Sequence, residues 1–111
     1  MTPEGRFKHR LVIPALNQID NCWYCVKEAC SVRGYADIIG VVNGRFFAWE
    51  LKKNEQQTRL NTGRSVLQKY LLSKIVLAGG IGRMVCPENI EECLEELRRC
   101  NGTSNDAQDN G

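Results

Sequence analysis

Residues 34–53 read GYADIIGVVNGRFFAWELKK. Two apolar runs, ADIIGVV and RFFAWELKK, flank Asn43-Gly44, the dipeptide that most favours a two-residue type I′ turn because both central positions need positive φ. The stretch therefore predicts a β-hairpin. With Asn43 and Gly44 as the loop, Val42 faces Arg45, and each further pair steps outward by one residue on both strands. Asp37 then falls opposite Glu50, and Lys52 shares their face with Ile39, Val41, Phe46 and Ala48.

Two carboxylates placed directly across a strand pair repel, and partial burial increases the penalty. Lys52 can neutralise only one of them, and an exposed Glu50–Lys52 or Asp37–Lys52 salt bridge is the simplest outcome. A divalent cation held by both carboxylates compensates more fully and prefers oxygen ligands. The spacing from Asp37 across the turn to Glu50 and Lys52 favours this second reading. Mg²⁺ or Mn²⁺ on Asp37 and Glu50, with the Leu51 carbonyl as a third ligand, suits phosphodiester hydrolysis, and Lys52 would orient a water or meet developing negative charge. Gln68, on the Leu71, Leu72 and Ile75 side of a predicted helix, and Glu4, at the start of the first helix, are further candidates. Each also has a local reason to exist: a boundary glutamine, and an acid at the positive end of a helix dipole.

Outward from the hairpin, Thr2-Pro3-Glu4 is a helix start, and Phe7, Leu11, Val12, Ala15, Leu16 and Ile19 recur at roughly helical spacing. Pro14 predicts a kink or break near Ile13. Residues 22–28 read as a short strand, and the polar residues 53–63 as a mobile loop. Residues 64–78 read as a helix with Leu67, Tyr70, Leu71, Ile75 and Ala78 on one stripe, residues 81–86 as a strand, and residues 88–99 as an amphipathic helix burying Ile90, Cys93, Leu94 and Leu97. The order helix, three strands, helix, strand, helix predicts an α/β sandwich, a small mixed sheet covered by helices. No apolar stripe is left over for an interface.

A chain of 111 residues suits one domain, here 1–100, followed by a polar tail at 101–111 too hydrophilic to order itself. No stretch approaches the ~20 apolar residues that span a bilayer, and no signal-peptide core follows the N-terminus, so a cytoplasmic protein is expected. Net charge is only +2, yet residues 1–87 carry 13 Lys and Arg against 6 Asp and Glu, while residues 88–111 carry 2 against 7. A basic body suits a polyanion such as nucleic acid. Cys22, Cys25 and Cys30 offer three soft ligands without a fourth nearby; Cys86 or His9 would complete a zinc or iron–sulfur site only if the fold brought them close, and buried thiols are the simpler reading.

The pattern TPEGR, GYADIIG, NGRFFAWELKK and LQKYLLSKIVLAGGIGRMV resembles the VRR-NUC (virus-type replication-repair nuclease) family of the PD-(D/E)XK nuclease superfamily, in its short stand-alone phage and bacterial form. The resemblance implies a restriction-endonuclease-like fold, with Asp37 and Glu50 as metal ligands, Lys52 as the catalytic lysine, Gln68 as a supporting residue and Glu4 as the acid of the first helix. It further implies a homodimer cutting branched DNA such as four-way (Holliday) junctions, in the host cytoplasm if a phage encodes it. Ala36 stands where the family usually has proline, Leu51 replaces a commoner valine or isoleucine, and Pro14 interrupts the first helix. Arg6, Lys8, Arg10, Arg33, Lys53, Arg59 and Arg64 are then candidate phosphate contacts, positioning the backbone without reading bases. A non-catalytic DNA-binding module on the same fold, or a zinc-stabilised interaction domain built on the cysteines, are the competing expectations.

Overall fold

A computed structural model describes residues 2–27, 36–61 and 63–102. The chain enters through helix α1 (Pro3–Phe7), where the Thr2 side chain accepts a hydrogen bond from the Gly5 N–H at 3.0 Å and Pro3 takes the first turn. A π-helical turn (Lys8–Val12) and α2 (Ile13–Leu16) continue it. The expected break at Pro14 is instead this wide turn. The Ile13 N–H reaches back five residues to the Lys8 carbonyl immediately before Pro14, which has no N–H to donate and whose ring would press on the carbonyl four residues earlier.

Strands β1 (Cys22–Val26), β2 (Ile38–Val42), β3 (Arg45–Leu51) and β4 (Ile81–Val85) form one mixed sheet in that spatial order. β1 and β2 run antiparallel, as do β2 and β3, whereas β4 lies parallel to β3. The hairpin has the expected register, from Val42 opposite Arg45 to Ile38 opposite Trp49. Asn43 and Gly44 take φ of 46° and 86°, both positive as a type I′ turn demands. The crossover from β3 to β4 passes through α3 (Glu55–Thr58) and α4 (Gly63–Leu77), and α5 (Ile90–Arg99) closes the fold. α3 replaces part of the expected mobile loop because Asn54 caps it, its Oδ1 accepting from the Gln57 N–H at 3.0 Å.

The core lies on one face of the sheet. Ile38, Val42, Phe47, Trp49, Leu51, Ile81 and Val85 pack there against Phe7, Val12, Leu16 and Ile19 and against Ile90, Cys93, Leu94 and Leu97 of α5. α4 packs on the opposite face, against β4 and β3. A Cβ on Gly82 would stand 2.7 Å from the Leu72 carbonyl oxygen, so the helix backbone rests directly on β4. That approach turns Ser65, Gln68 and Leu72 inward, with Leu71 and Ile75 half-buried, and leaves Leu67, Tyr70 and Ala78 of the expected stripe exposed.

The end of the chain beyond α5 is partly anchored. Asn101 donates to the Asp20 carbonyl at 2.7 Å and accepts from Asn21 at 3.3 Å; of the expected tail, residues 103–111 lie outside the described ones. Among the described residues no helix is long and apolar enough to cross a membrane.

Candidate active site

Asp37, just ahead of β2, and Glu50 near the end of β3 approach each other as the hairpin register requires. Asp37 Oδ2 accepts a hydrogen bond from the Leu51 N–H at 2.8 Å. Residues paired in a ladder use their N–H and C=O on the same side, so the Leu51 carbonyl faces Asp37 too. On the other side the Lys52 N–H binds the Val85 carbonyl at 2.8 Å, which fixes this stretch between β2 and β4.

Glu50 is 5% exposed. Its Oε2 accepts from Gln68 Nε2 at 2.7 Å, while Oε1 is buried without a hydrogen-bond partner. Burial, then the charge of Asp37, and a hydrogen bond that the protonated form shares with the Asp37 carboxylate raise its pKa to about 8, against a lesser pull from Lys52. Lys52 Nζ stands 3.9 Å from Glu50 Oε2 and donates to Gln68 Oε1 at 2.9 Å. Gln68, 2% exposed, therefore ties the acid to the base with its two amide ends, a role its position among apolar neighbours of α4 allows. Only this amide orientation puts a donor on the carboxylate and an acceptor on the ammonium.

Asp37, Glu50, Leu51, Lys52 and Gln68 line an open cleft of about 440 Å³ together with Thr2, Glu4, Gly5, Lys8, Gln57 and Arg64. Of the candidate phosphate contacts, Lys8 and Arg64 thus reach the cleft. Arg6, Arg10 and Lys53 are exposed away from its lining, Arg59 is paired with Glu55, and Arg33 lies outside the described residues. Among the described residues no three His, Cys, Asp or Glu side chains converge, so Glu4 shares the cleft without joining Asp37 and Glu50 in a cluster.

The donor set nonetheless suits a hard cation. An unpartnered, buried carboxylate oxygen beside a second carboxylate and a main-chain carbonyl supplies oxygen ligands only, and a cation would satisfy Glu50 Oε1. Cys22 and Cys25 do not form a comparable centre. An odd separation along β1 sends them to opposite faces, Cys22 toward the core and Cys25 to the exposed side, and Cys30 lies outside the described residues.

Lys27 and Gln57 are site neighbours that the sequence did not point to, and Thr2, expected only as a helix cap, also lines the cleft. Lys27 faces Asp37 across the β1–β2 ladder: its N–H binds the Asp37 carbonyl at 2.7 Å and its Nζ stands 3.9 Å from Oδ1. No turn dipeptide sets the register of β1 on β2, so nothing in the sequence placed Lys27 there. Compared with family models, curated proteins and solved structures, the chain matches none.

Proposed function

We propose that this chain is a divalent-metal-dependent DNA endonuclease of the VRR-NUC kind, with a restriction-endonuclease-like arrangement, acting on branched DNA such as four-way junctions. The observation that carries the reading is Glu50: a buried carboxylate beside Asp37, one oxygen without a partner, its other oxygen linked through Gln68 to Lys52. A purely structural salt bridge gains nothing from a second acid placed against it.

Asp37, Glu50 and the Leu51 carbonyl would hold Mg²⁺ or Mn²⁺, which supplies Lewis acidity and lowers the pKa of bound water. Lys52, restrained by its hydrogen bond to Gln68, would orient the attacking water and meet negative charge on the phosphoryl oxygens. Lys8 and Arg64 at the cleft wall hold flanking phosphates. Water attacks phosphorus as the bond to one bridging oxygen breaks, and that oxygen leaves with the proton the water gives up.

A homodimer belongs to this reading through the family resemblance alone; the outward side of α4 does keep an apolar stripe, which corrects the expectation that none is left over, but it stands among basic side chains. Val66, Tyr70 and Leu77 recur there at helical spacing, and all three are exposed.

Cleavage of a four-way junction, a flap and a linear duplex with added Mg²⁺ tests the reading, comparing the wild type with Glu50→Ala and Lys52→Ala. The branched substrates should be cut by the wild type alone. Equal cleavage by folded variants would overturn the assignment, and junction binding that survives chelation with no cleavage in any divalent metal would point to a non-catalytic module.

A further inference from the structure

Among the described residues, the helix on the sheet face that carries Asp37 and Glu50, α4, packs against β3 and β4, and none packs on that face over β1 and β2. The registers of the two ladders sort this face into rows across the strands. Lys27, Asp37 and Glu50 form the charged row; Cys25, Ile39 and Ala48 the next; Trp23, Val41 and Phe46 the third. The third row is unusually open: Trp23 is 63% exposed, with Phe46 and Val41 about 40%. Beside it, between the sheet and α4, runs an apolar groove of about 310 Å³ lined by Ile39, Phe46, Leu71 and Ile75, reaching Glu50 and Gln68 at its inner end and Lys74 at its rim.

The acids of this face are confined to the charged row at Asp37 and Glu50, and the helix beside the aromatic row is wholly basic. α4 carries Arg64, Lys69 and Lys74 and no acid, whereas α5, on the opposite face, carries four glutamates and two arginines. Two copies meeting through the α4 side would bring like charges together, which disfavours a second copy as the occupant. A polyanion with flat apolar faces fits both the charge and the aromatic row. Single-stranded nucleic acid is such a ligand, since every base has a π-face and stacks on exposed aromatic rings along a basic track.

We propose that the part of this sheet face beside α4, centred on Trp23 and Phe46, binds unpaired bases of a single-stranded segment that leads into the catalytic cleft. Trp23 stands four residues along β1 from Lys27, so the aromatic row lies ~13 Å from the charged row at the rise of an extended strand. Trp23 and Phe46 are separated by two strand spacings, ~10 Å, with Val41 between them, so each ring takes its own base. The substrate class deepens accordingly, to branched nucleic acid with an unpaired arm beside the cut. This rests on the nuclease reading for its meaning, although the binding itself does not require cleavage.

The test is the affinity of the full chain for a fluorescently labelled oligothymidylate in chelator, for the wild type, Trp23→Ala, Phe46→Ala and the conservative Trp23→Phe, with a linear duplex as control. Trp23→Ala should weaken oligothymidylate binding roughly tenfold or more, Trp23→Phe should restore most of it, and duplex binding should be unchanged. The chain has two tryptophans, and Trp49 is fully buried, so quenching of the exposed emission on binding reports Trp23 directly, while Trp49 emission confirms that each variant is folded. Equal oligothymidylate affinity in wild type and both alanine variants overturns the proposal. So does a Trp23→Ala chain that changes from dimer to monomer in sedimentation with its oligothymidylate affinity intact, which would assign the face to a second copy. Trp23-dependent binding in a protein that cuts no substrate would leave this inference standing and remove the nuclease reading; cleavage of branched DNA with full oligothymidylate affinity in Trp23→Ala would do the reverse.

Discussion

Gln68 donates from Nε2 to Glu50 Oε2 at 2.7 Å across the space between α4 and β3, and its other amide atom accepts from Lys52. A side chain of α4 thereby sets where Glu50 and Lys52 of the hairpin stand. Glu50 and Lys52 lie only 3.9 Å apart, yet the bridging amide gives each a hydrogen bond of better length than their direct contact offers.

Gln68→Ala removes both bonds and leaves buried polar atoms unpaired. We expect a loss of ~1–3 kcal/mol in stability, read by denaturant unfolding, because a buried group without its partner keeps its desolvation cost. Cleavage should fall about 10–100-fold, as for other residues that orient a metal-binding group, with the effect mainly in kcat.

Glu50 sets a pH dependence whose sign follows from its raised pKa of about 8. Between the ordinary carboxylate range and about pH 8 the native state holds a proton that the unfolded chain has released. Without metal, stability is therefore greatest in mild acid and declines as pH rises through that window, by up to ~1.4 kcal/mol per pH unit. Glu50→Gln should flatten this slope and be the more stable protein at pH 8, as measured by thermal unfolding in chelator across pH 5 to 9. An identical slope in the variant would show that Glu50 is not the group responsible.

On the proposed reading, a divalent metal held by Glu50 would displace the same proton. Mg²⁺ or Mn²⁺ should raise the melting temperature of the wild type increasingly from pH 6 to 8, since binding to the native state alone adds stability by mass action. Asp37→Asn and Glu50→Gln should each abolish the rise, and calorimetry in buffers of different ionisation enthalpy should count close to one proton released near pH 7.

Two glycines of the hairpin differ in why they are glycine. A Cβ on Gly40 would lie 2.3 Å from the Trp23 carbonyl oxygen and 2.8 Å from the Phe47 ring, so Gly40→Ala forces strands and core apart. Gly44, at φ 86°, has open space around it and demands only the left-handed backbone. Gly44→Ala should cost about 1 kcal/mol, and Gly40→Ala ~1–3 kcal/mol or more, with loss of the hairpin's packing. Urea unfolding of the two variants side by side checks the order.

The sequence by itself determined the hairpin and, through it, the pairing at the heart of the site. Asn43-Gly44 is a local signal whose backbone requirement fixes a register, and a strand's period of two then dictates that Asp37, Glu50 and Lys52 share a face. The buried face of α5 was legible for a similar reason, since helical spacing is a property of neighbouring residues. α3 escaped notice because one capped turn is too short to show a period, and the wide turn before Pro14 because a proline in a helical pattern signals disruption without saying which kind. Only the tertiary structure decided how α4 is turned. Its apolar residues surround the helix, so the stripe through Leu67, Tyr70 and Ala78 was one of several that spacing allows, and the contact of its backbone with Gly82 chose Gln68 and Leu72 instead. That choice brings the amide between Glu50 and Lys52. The placement of Lys27 opposite Asp37 and the bare aromatic row at Trp23 likewise depend on how β1 meets β2, across a connection with no turn signal to set it.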